Sequence, residues 1–358
     1  MRVTILGSGN GASAAAFDWA SHDHHVAMWD FPEFDTNIAA IAASGSLRCT
    51  GKLEGSAPIA YAGHDLAVAL DGAELALLVG PAYATAAMGA ALRPHLRPDL
   101  AVVALPGSCG GAFVLKEALG LDVRAERHLI GETQTLPYGT RLLEPGLVRI
   151  TTRVRDGLLV AALPRARTEE LRAKLLPVWP GFEAADSVLQ TTLQNGNPVI
   201  HPAIMLLNAC RIENTAGDFF FYTDGVTTAS ARLIEAVDKE RAAVGAALGI
   251  TIVPDPVMGL RQGYMGDATY LSGYNQGVGF ATSRAPATLD FRYLVEDVGY
   301  GLVFLSELAR RLQVPTPSVD AIIQLASVVL DRDFRAEAAR TPDSLGFGDF
   351  TPEELRAL

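Results

Sequence analysis

The chain has 358 residues, 49% of them hydrophobic, and a formal net charge of −11. Length and apolar content allow a large core and favour two domains over one. The acidic balance and the lack of a Lys/Arg cluster exclude nucleic acid as a partner, because phosphate-backbone contacts need several cations on one face.

Residues 2 to 6 read as a buried first strand, too short for a signal h-region and running straight into glycines. Gly7-Ser8-Gly9-Asn10-Gly11-Ala12 follows, then the Ala-rich helix Ser13–Ala20 and a second strand, His25–Trp29, that ends at Asp30. This is the strand, glycine turn, helix and strand-end acid of a dinucleotide site, with the acid about twenty residues past the glycines. Gly7 serves the tight turn, Gly9 lets a pyrophosphate approach the backbone, and the small Ala12 lets helix and strand pack closely. The helix N-terminus supplies the anion site. Asp30 suits a ribose 2′-hydroxyl and repels a 2′-phosphate, and neither Phe31 nor Pro32 offers a cation, so NAD is preferred over NADP; the plainer reading of Asp30 is a strand-end turn residue. His22, His24 and His25 read as a solvated loop.

Two apolar runs, Leu75–Val79 and Leu100–Leu105, look like parallel strands whose loops, around Pro81 and around Pro106-Gly107, border the nicotinamide side or are plain turns. The stretch from Leu75 to Leu92 is broken by Gly80, Pro81 and Gly89, so no membrane span is expected and the protein reads as cytoplasmic. After Leu129-Ile130 comes GETQTLPYGTR, residues 131 to 141, dense in hydroxyls and amides, with Thr135 and Arg141 as candidates for the cleft. Strands follow over residues 148 to 162, and a helix over Thr168–Trp179 opened by Thr168. Cys49, Cys109 and Cys210 are odd in number and lack metal spacing, so neither a disulfide framework nor a metal site is expected.

The texture changes near residue 186. Beyond it helical periodicity dominates, over Pro202–Glu213, Thr227–Leu248, Leu294–Leu312 and Val319–Leu330, with a Gly-rich aromatic loop over Gly259–Gly279 and a capping box at Thr351-Pro352-Glu353-Glu354. The expected architecture is α/β: an N-terminal Rossmann doubly wound parallel sheet over residues 1–186, then an all-α C-terminal domain over 187–358. The apolar helices beyond residue 227 suit a homodimer.

At the junction lies Asn195-Gly196-Asn197-Pro198-Val199-Ile200-His201-Pro202. Proline pushes the preceding residue out of the helical region and suits a first helical position, so Pro202 is expected to start a helix with His201 beside its N-terminus. A His there that must carry a proton needs a carboxylate, because the positive helix end disfavours imidazolium. Along Leu294–Leu312 the apolar stripe is Leu294, Val298, Leu302, Leu305, Leu308 and Leu312; Glu296 falls opposite, on the expected wet face, and Asp297 at the stripe's edge. A half-buried Asp297 needs a partner, which spacing alone leaves open between His201 and an ordinary cap or salt bridge.

Together the Gly7–Ala12 turn, GETQTLPYGTR, LQNGNPVIHP and RYLVEDVGYGLVFLSELAR resemble the opine dehydrogenase family, of octopine/nopaline dehydrogenase type, over nearly the whole chain in order. That resemblance implies a His201–Asp297 dyad and the NADH-dependent reductive condensation of an amino acid with an α-keto acid. His201 would act as general acid and base with Asp297 orienting its ring. Both substrates carry carboxylates, so an Arg is expected in the cleft, Arg292 first and Arg141 second, with either one otherwise a surface ion-pair residue. Asn195 and Asn197 offer amides to substrate or nicotinamide, or form an ordinary turn before Pro198. The competing readings are a ketopantoate reductase or glycerol-3-phosphate dehydrogenase relative acting on a carbonyl, and an NAD-binding sensor without turnover. The first usually centres on a Lys, and Lys239 looks solvated.

Overall fold

The apolar runs at residues 3–6, 75–78 and 101–104 stand side by side as parallel strands buried on both faces, which is why none of them alternates. The computed structural model describes residues 1–338 and 340–358. It parts into two units, residues 1–191 with Leu358 and residues 192–357.

In the first unit the strands are β1 (Arg2–Leu6), β2 (His25–Trp29), β3 (Ser46–Gly51), β4 (Gly55–Pro58), β5 (Tyr61–Gly63) and β6 (Leu75–Leu78). They continue with β7 (Ala101–Ala104), β8 (Ile130–Thr133), β9 (Tyr138–Glu144), β10 (Leu147–Arg153), β11 (Leu158–Leu163) and β12 (Phe182–Ala184). The main sheet runs β12-β11-β8-β7-β6-β1-β2-β5, parallel throughout except where β8 meets β11. This is the doubly wound Rossmann-type sheet. From β1 the chain first builds outward through β2 and β5, then returns to β6 on β1's other side, so the strand order reverses at β1 and β6. The loops leaving those two strands flank the crevice where such sheets take their ligands. Leu6, Trp29, Leu78, Leu92, Val102, Leu115 and Ile130 fill the core under one face.

A second sheet, β4-β3-β10-β9, was not expected as a separate layer, although the strands read over residues 148 to 162 take in most of β10: its strands are only half-buried, as in Leu147-Val148-Arg149-Ile150, where buried and less buried positions alternate. It explains the helix between β1 and β2. That helix spans Asn10–Ala20, starting earlier than Ser13, and every residue from Ala12 to Ala20 is buried because it packs on β1 and β2 and on β3, β9 and β10. Small alanines are what a helix squeezed between two sheets needs. Its one buried charge, Asp18, accepts from Tyr138 Oη at 2.6 Å and Arg153 Nε at 3.0 Å, which ties the helix to β9 and β10.

The second unit is helical, and three expectations for it change. The helix around His201 runs Asn197–Leu207 with Pro198 in its first turn and Pro202 inside it, and a new helix, Ala209–Thr215, follows a break at Asn208. Gly259 lies in a helix, Asp255–Gln262, instead of a loop. The segment Leu294–Leu312 is three pieces: an α-helix over Arg292–Glu296, a π-helical stretch over Asp297–Leu302 and an α-helix over Val303–Arg311. The long helix Thr228–Ala247 is capped by Thr227 and Ser230, and the last helix is closed by reciprocal bonds between Thr351 and Glu354. In the first unit, Thr168 is the first helical residue, not the cap, and its hydroxyl accepts from the Ala162 amide at 3.1 Å. No helix among the described residues is long and apolar enough to cross a membrane.

Candidate active site

In the first unit the glycine turn leaves β1. Gly7 sits at φ +114°, and a Cβ there would collide with the Val79 carbonyl of the neighbouring strand end. Gly9 differs: its φ is ordinary, at −70°, and a Cβ on it would meet nothing within 4 Å. The helix that starts at Asn10 has no side-chain cap and no acid in its first turn, so its N–H groups present an uncompensated positive end. Asp30, buried at the end of β2, accepts from Ser8 Oγ at 2.6 Å and from the Phe31 amide at 2.8 Å. Ser8 therefore fixes the carboxylate instead of facing a ligand freely. Asn10 spends its side-chain oxygen on the Leu142 amide of β9, at 2.7 Å, while Ala12 is buried against Gly7 and the half-buried Gly11 lies against Val79 and Leu136.

Pro81, Pro106 and Gly107 follow β6 and β7, so the parallel pairing brings them to the same sheet edge as the glycine turn. Gly107 has no room for a side chain because the buried Glu132 carboxylate lies against it, accepting from the Ala112 amide at 2.8 Å and from Thr191 Oγ1 at 2.7 Å. Thr135 is half-buried just past β8 at that edge. Arg141 is exposed on β9 opposite Arg149, one residue from Thr140 and Leu142, which bond to Asn10.

In the second unit His201 and Asp297 meet. His201 Nδ1 lies 2.7 Å from Asp297 Oδ2, and both residues are 5% exposed. The carboxylate can only accept, so Nδ1 carries the proton and the other nitrogen, Nε2, faces away from it. Nε2 lies 2.8 Å from the Tyr222 hydroxyl. Tyr293 stacks on the imidazole at 3.9 Å between centroids and 23° between planes. Burial holds the Tyr222 hydroxyl's pKa well above its ordinary value, with Tyr293 and Asp297 pushing the same way. Burial also raises the Tyr293 pKa, partly offset by the Arg292 cation.

Arg292 is 53% exposed, with its Nε 3.4 Å from Glu296 Oε2. Glu296 itself is buried, against the expectation of a wet face, because residues 296–306 are packed almost all round and the one-stripe wheel does not apply. Asn197 is half-buried in the first turn of the His201 helix, and Asn195 is buried just before it. Among the described residues no group of three His, Cys, Asp or Glu side chains is placed to hold a metal ion.

The model of the α-helical domain of NAD/NADP octopine/nopaline dehydrogenases matches residues 184–330. The opine dehydrogenase of Arthrobacter sp. (strain 1C) is 32% identical to this chain over 355 residues, covering 99% of it and 97% of that protein. The chain belongs to the opine dehydrogenase family. The protein ocs of Agrobacterium vitis is a further relative, 28% identical with 97% of this chain and 96% of that one covered. A solved octopine dehydrogenase with NADH and L-arginine shares the fold, with a TM-score of 0.78 and 20% identity over 100% of this chain and 98% of that one.

This opine dehydrogenase family member supports its Asn-Gly-Asn turn from behind with charges the sequence did not reveal. Asn195's carbonyl accepts from Arg241 Nη1 at 3.2 Å, and Arg241 is ion-paired with Asp238, both almost fully buried. Asp238 Oδ2 accepts from the Asp255 amide and from Tyr270 Oη, each at 2.7 Å. Asp255 lies against Gly196, where a Cβ would strike its carboxylate, and it accepts from Tyr274 Oη. Burial, with Asp238 adding to it, raises the Asp255 pKa, and Arg241 counters that rise. Only a glycine at 196 allows this approach. Tyr222 and Tyr293 were also missed as neighbours of His201: Tyr222 follows the run Phe219-Phe220-Phe221, which carries no periodicity or motif, and Tyr293 stands beside the more conspicuous Arg292.

Proposed function

We propose that this protein is an NADH-dependent opine dehydrogenase in which His201, held by Asp297, is the general acid and base. The observation that carries the reading is the 2.7 Å bond between the His201 ring and the buried Asp297 carboxylate. A chain 32% identical to an opine dehydrogenase over nearly its full length supports the reaction class. The reaction joins an amino acid's amine to an α-keto acid as an imine and reduces it to an N-(carboxyalkyl)amino acid.

The residues present fit a dinucleotide. The space over Gly9 and the uncapped helix start receive a pyrophosphate, and the anchored Asp30 accepts from a ribose 2′-hydroxyl while repelling the 2′-phosphate of NADP. Pro81, Pro106 and Gly107 border the nicotinamide side at the same sheet edge. When bound, NADH supplies the hydride. His201 gives a proton to the departing carbonyl oxygen as water leaves and takes one from the incoming amine, and the Asp297 carboxylate stabilises its charged form. Arg292 directs its exposed guanidinium at a substrate carboxylate, Asn197 offers an amide, and Thr135 and Arg141 are assigned to substrate from the first unit. A cytoplasmic homodimer completes the reading; Leu325, Val328 and Val329, more than 40% exposed on the helix Pro317–Val329, support a self-association face.

A matrix of amino acids against pyruvate, glyoxylate, 2-oxoglutarate and oxaloacetate, followed by NADH absorbance, tests the proposal. The expected result is oxidation that needs both substrates and is lost in His201→Ala. Oxidation by a keto acid alone would make the protein a carbonyl reductase, and none with any pair would end the catalytic reading.

A further inference from the structure

The imidazole of His201 has no free edge. Asp297 takes Nδ1 at 2.7 Å, Tyr222 takes Nε2 at 2.8 Å, Tyr293 covers a face at 3.9 Å, and the residue is 5% exposed. A substrate atom that exchanges a proton with Nε2 must therefore displace Tyr222 or work through it. Displacement is opposed by how Tyr222 is held. Its ring lies nearly parallel to Phe280 at 4.3 Å and edge-on to Phe221 at 5.0 Å. Its carbonyl accepts from the Val226 amide at 3.0 Å, and the Phe221 amide before it donates to Ser283 at 2.8 Å.

Resting on the reading of His201 as general acid and base, we propose that Tyr222 is a proton relay between His201 and the reacting substrate. In the forward direction the charged imidazole donates from Nε2 to the Tyr222 oxygen while the Tyr222 O–H proton passes to the departing carbinolamine hydroxyl, which leaves as water. One proton leaves His201, one reaches the substrate, and Tyr222 ends as it began, a neutral phenol. The reverse movement returns a proton from the amine to Nε2 by the same two bonds. No electrons move in either step. The raised pKa of the Tyr222 hydroxyl accords with this, since a phenol that does not accumulate as phenolate must pass its two protons together. Its phenyl ring adds nothing to the transfer, so the hydroxyl alone is the functional part.

The test is Tyr222→Phe, which keeps the ring and its stack. Relaying predicts a kcat lower by about 100-fold or more, with KM for both substrates and NADH affinity within about twofold, as they do not depend on a proton in flight. In wild-type enzyme the solvent proton inventory should be bowed, for two protons moving together, and in Tyr222→Phe it should become linear. An equal or higher kcat in Tyr222→Phe would overturn the relay and leave Tyr222 a displaceable stopper. A linear wild-type inventory would overturn it even if the variant failed to fold. Should no substrate pair oxidise NADH, the opine dehydrogenase reading falls, and the relay is judged separately on histidine-¹⁵N-labelled protein. There the His201 Nε2 resonance must shift in Tyr222→Phe, and an unshifted one overturns the relay.

Discussion

Asp297 meets His201 at the first residue of a π-helical stretch, with its carboxylate 2.7 Å from Nδ1 and a regular α-helix ending at Glu296 just before it. π-type turns inside helices occur often at functional sites, since they set one side chain out of the regular winding. Asn at this position keeps the shape and loses the carboxylate that accepts from His201 Nδ1. Asp297→Asn should lower kcat by about 10²–10⁴-fold while NADH binding, proposed to draw on the glycine turn of the other unit, should stay as in wild type. Steady-state kinetics beside a fluorescence titration with NADH would check both halves, and an unchanged kcat would remove Asp297 from the mechanism.

How much of this could be read beforehand follows from the range of the interaction concerned. The glycine turn and Asp30 are local, and strand, turn, helix and acid come in one βαβ unit, so spacing sufficed to place them. His201 and Asp297 are 96 residues apart, and helical periodicity alone could not choose between a dyad and a surface pair; the family resemblance joined them. Local rules also misplaced His201. The bias of a pre-proline residue against helix is real, but the helix starts earlier, at Asn197, and carries Pro202 inside it. Glu296 went wrong for a different reason, because a one-sided wheel assumes one wet face and this helix has almost none. Tyr222 had no signal because its partner, His201, lies 21 residues away, and although Asp238 and Arg241 are neighbours on one helix, nothing local shows that they are buried against Asn195 and Asp255.

Arg292 carries two loads that can be separated. Its half-exposed guanidinium is the proposed grip on a substrate carboxylate, and its Nε also faces the buried Glu296 at 3.4 Å. Arg292→Ala should raise KM for one substrate about 10–100-fold, corresponding to a charge-assisted bond of about 1.5–3 kcal/mol, and should also lower the melting temperature by depriving Glu296 of a counter-charge. Arg292→Lys keeps a cation but not the planar fork, so it should recover stability more than KM. If KM for neither substrate moves in Arg292→Ala, the residue is a structural partner of Glu296 only.

Lys116 offers a stability test on the first unit. It is 1% exposed, its Nζ donates to the carbonyls of Val123 at 2.7 Å and Ala125 at 2.6 Å, and burial pushes its pKa down to about 8. Between that value and the ordinary lysine pKa the unfolded chain holds a proton that the folded one has released. Stability must therefore rise with pH from about 8 to about 10, by roughly 2 kcal/mol on this group alone. Above about 10 the buried Tyr138, Tyr222 and Tyr274, whose pKa values burial raises, reverse the trend, because they stay protonated only in the folded state. Urea unfolding at a series of pH values should show the rise in wild type and its absence in Lys116→Met. The same slope in both would place the titration elsewhere.

Gly7 and Gly9 stand two residues apart and should fail in opposite ways. Alanine at 7 must adopt φ +114° and strike the Val79 carbonyl, so Gly7→Ala should lose at least about 1–3 kcal/mol of folding stability. Alanine at 9 has an allowed backbone and nothing within 4 Å of its methyl, so Gly9→Ala should fold as well as wild type, or gain up to about 0.4–1 kcal/mol from the stiffer unfolded chain. What Gly9→Ala should lose is NADH. The methyl fills the space through which a pyrophosphate reaches the start of the helix at Asn10, so affinity falls while the melting temperature of the ligand-free protein does not. Thermal melts without NADH and fluorescence titrations with it, run on both variants, separate the two effects. A Gly9→Ala protein that binds NADH as tightly as wild type would mean that the pyrophosphate does not lie over this turn, whatever the sequence pattern suggests.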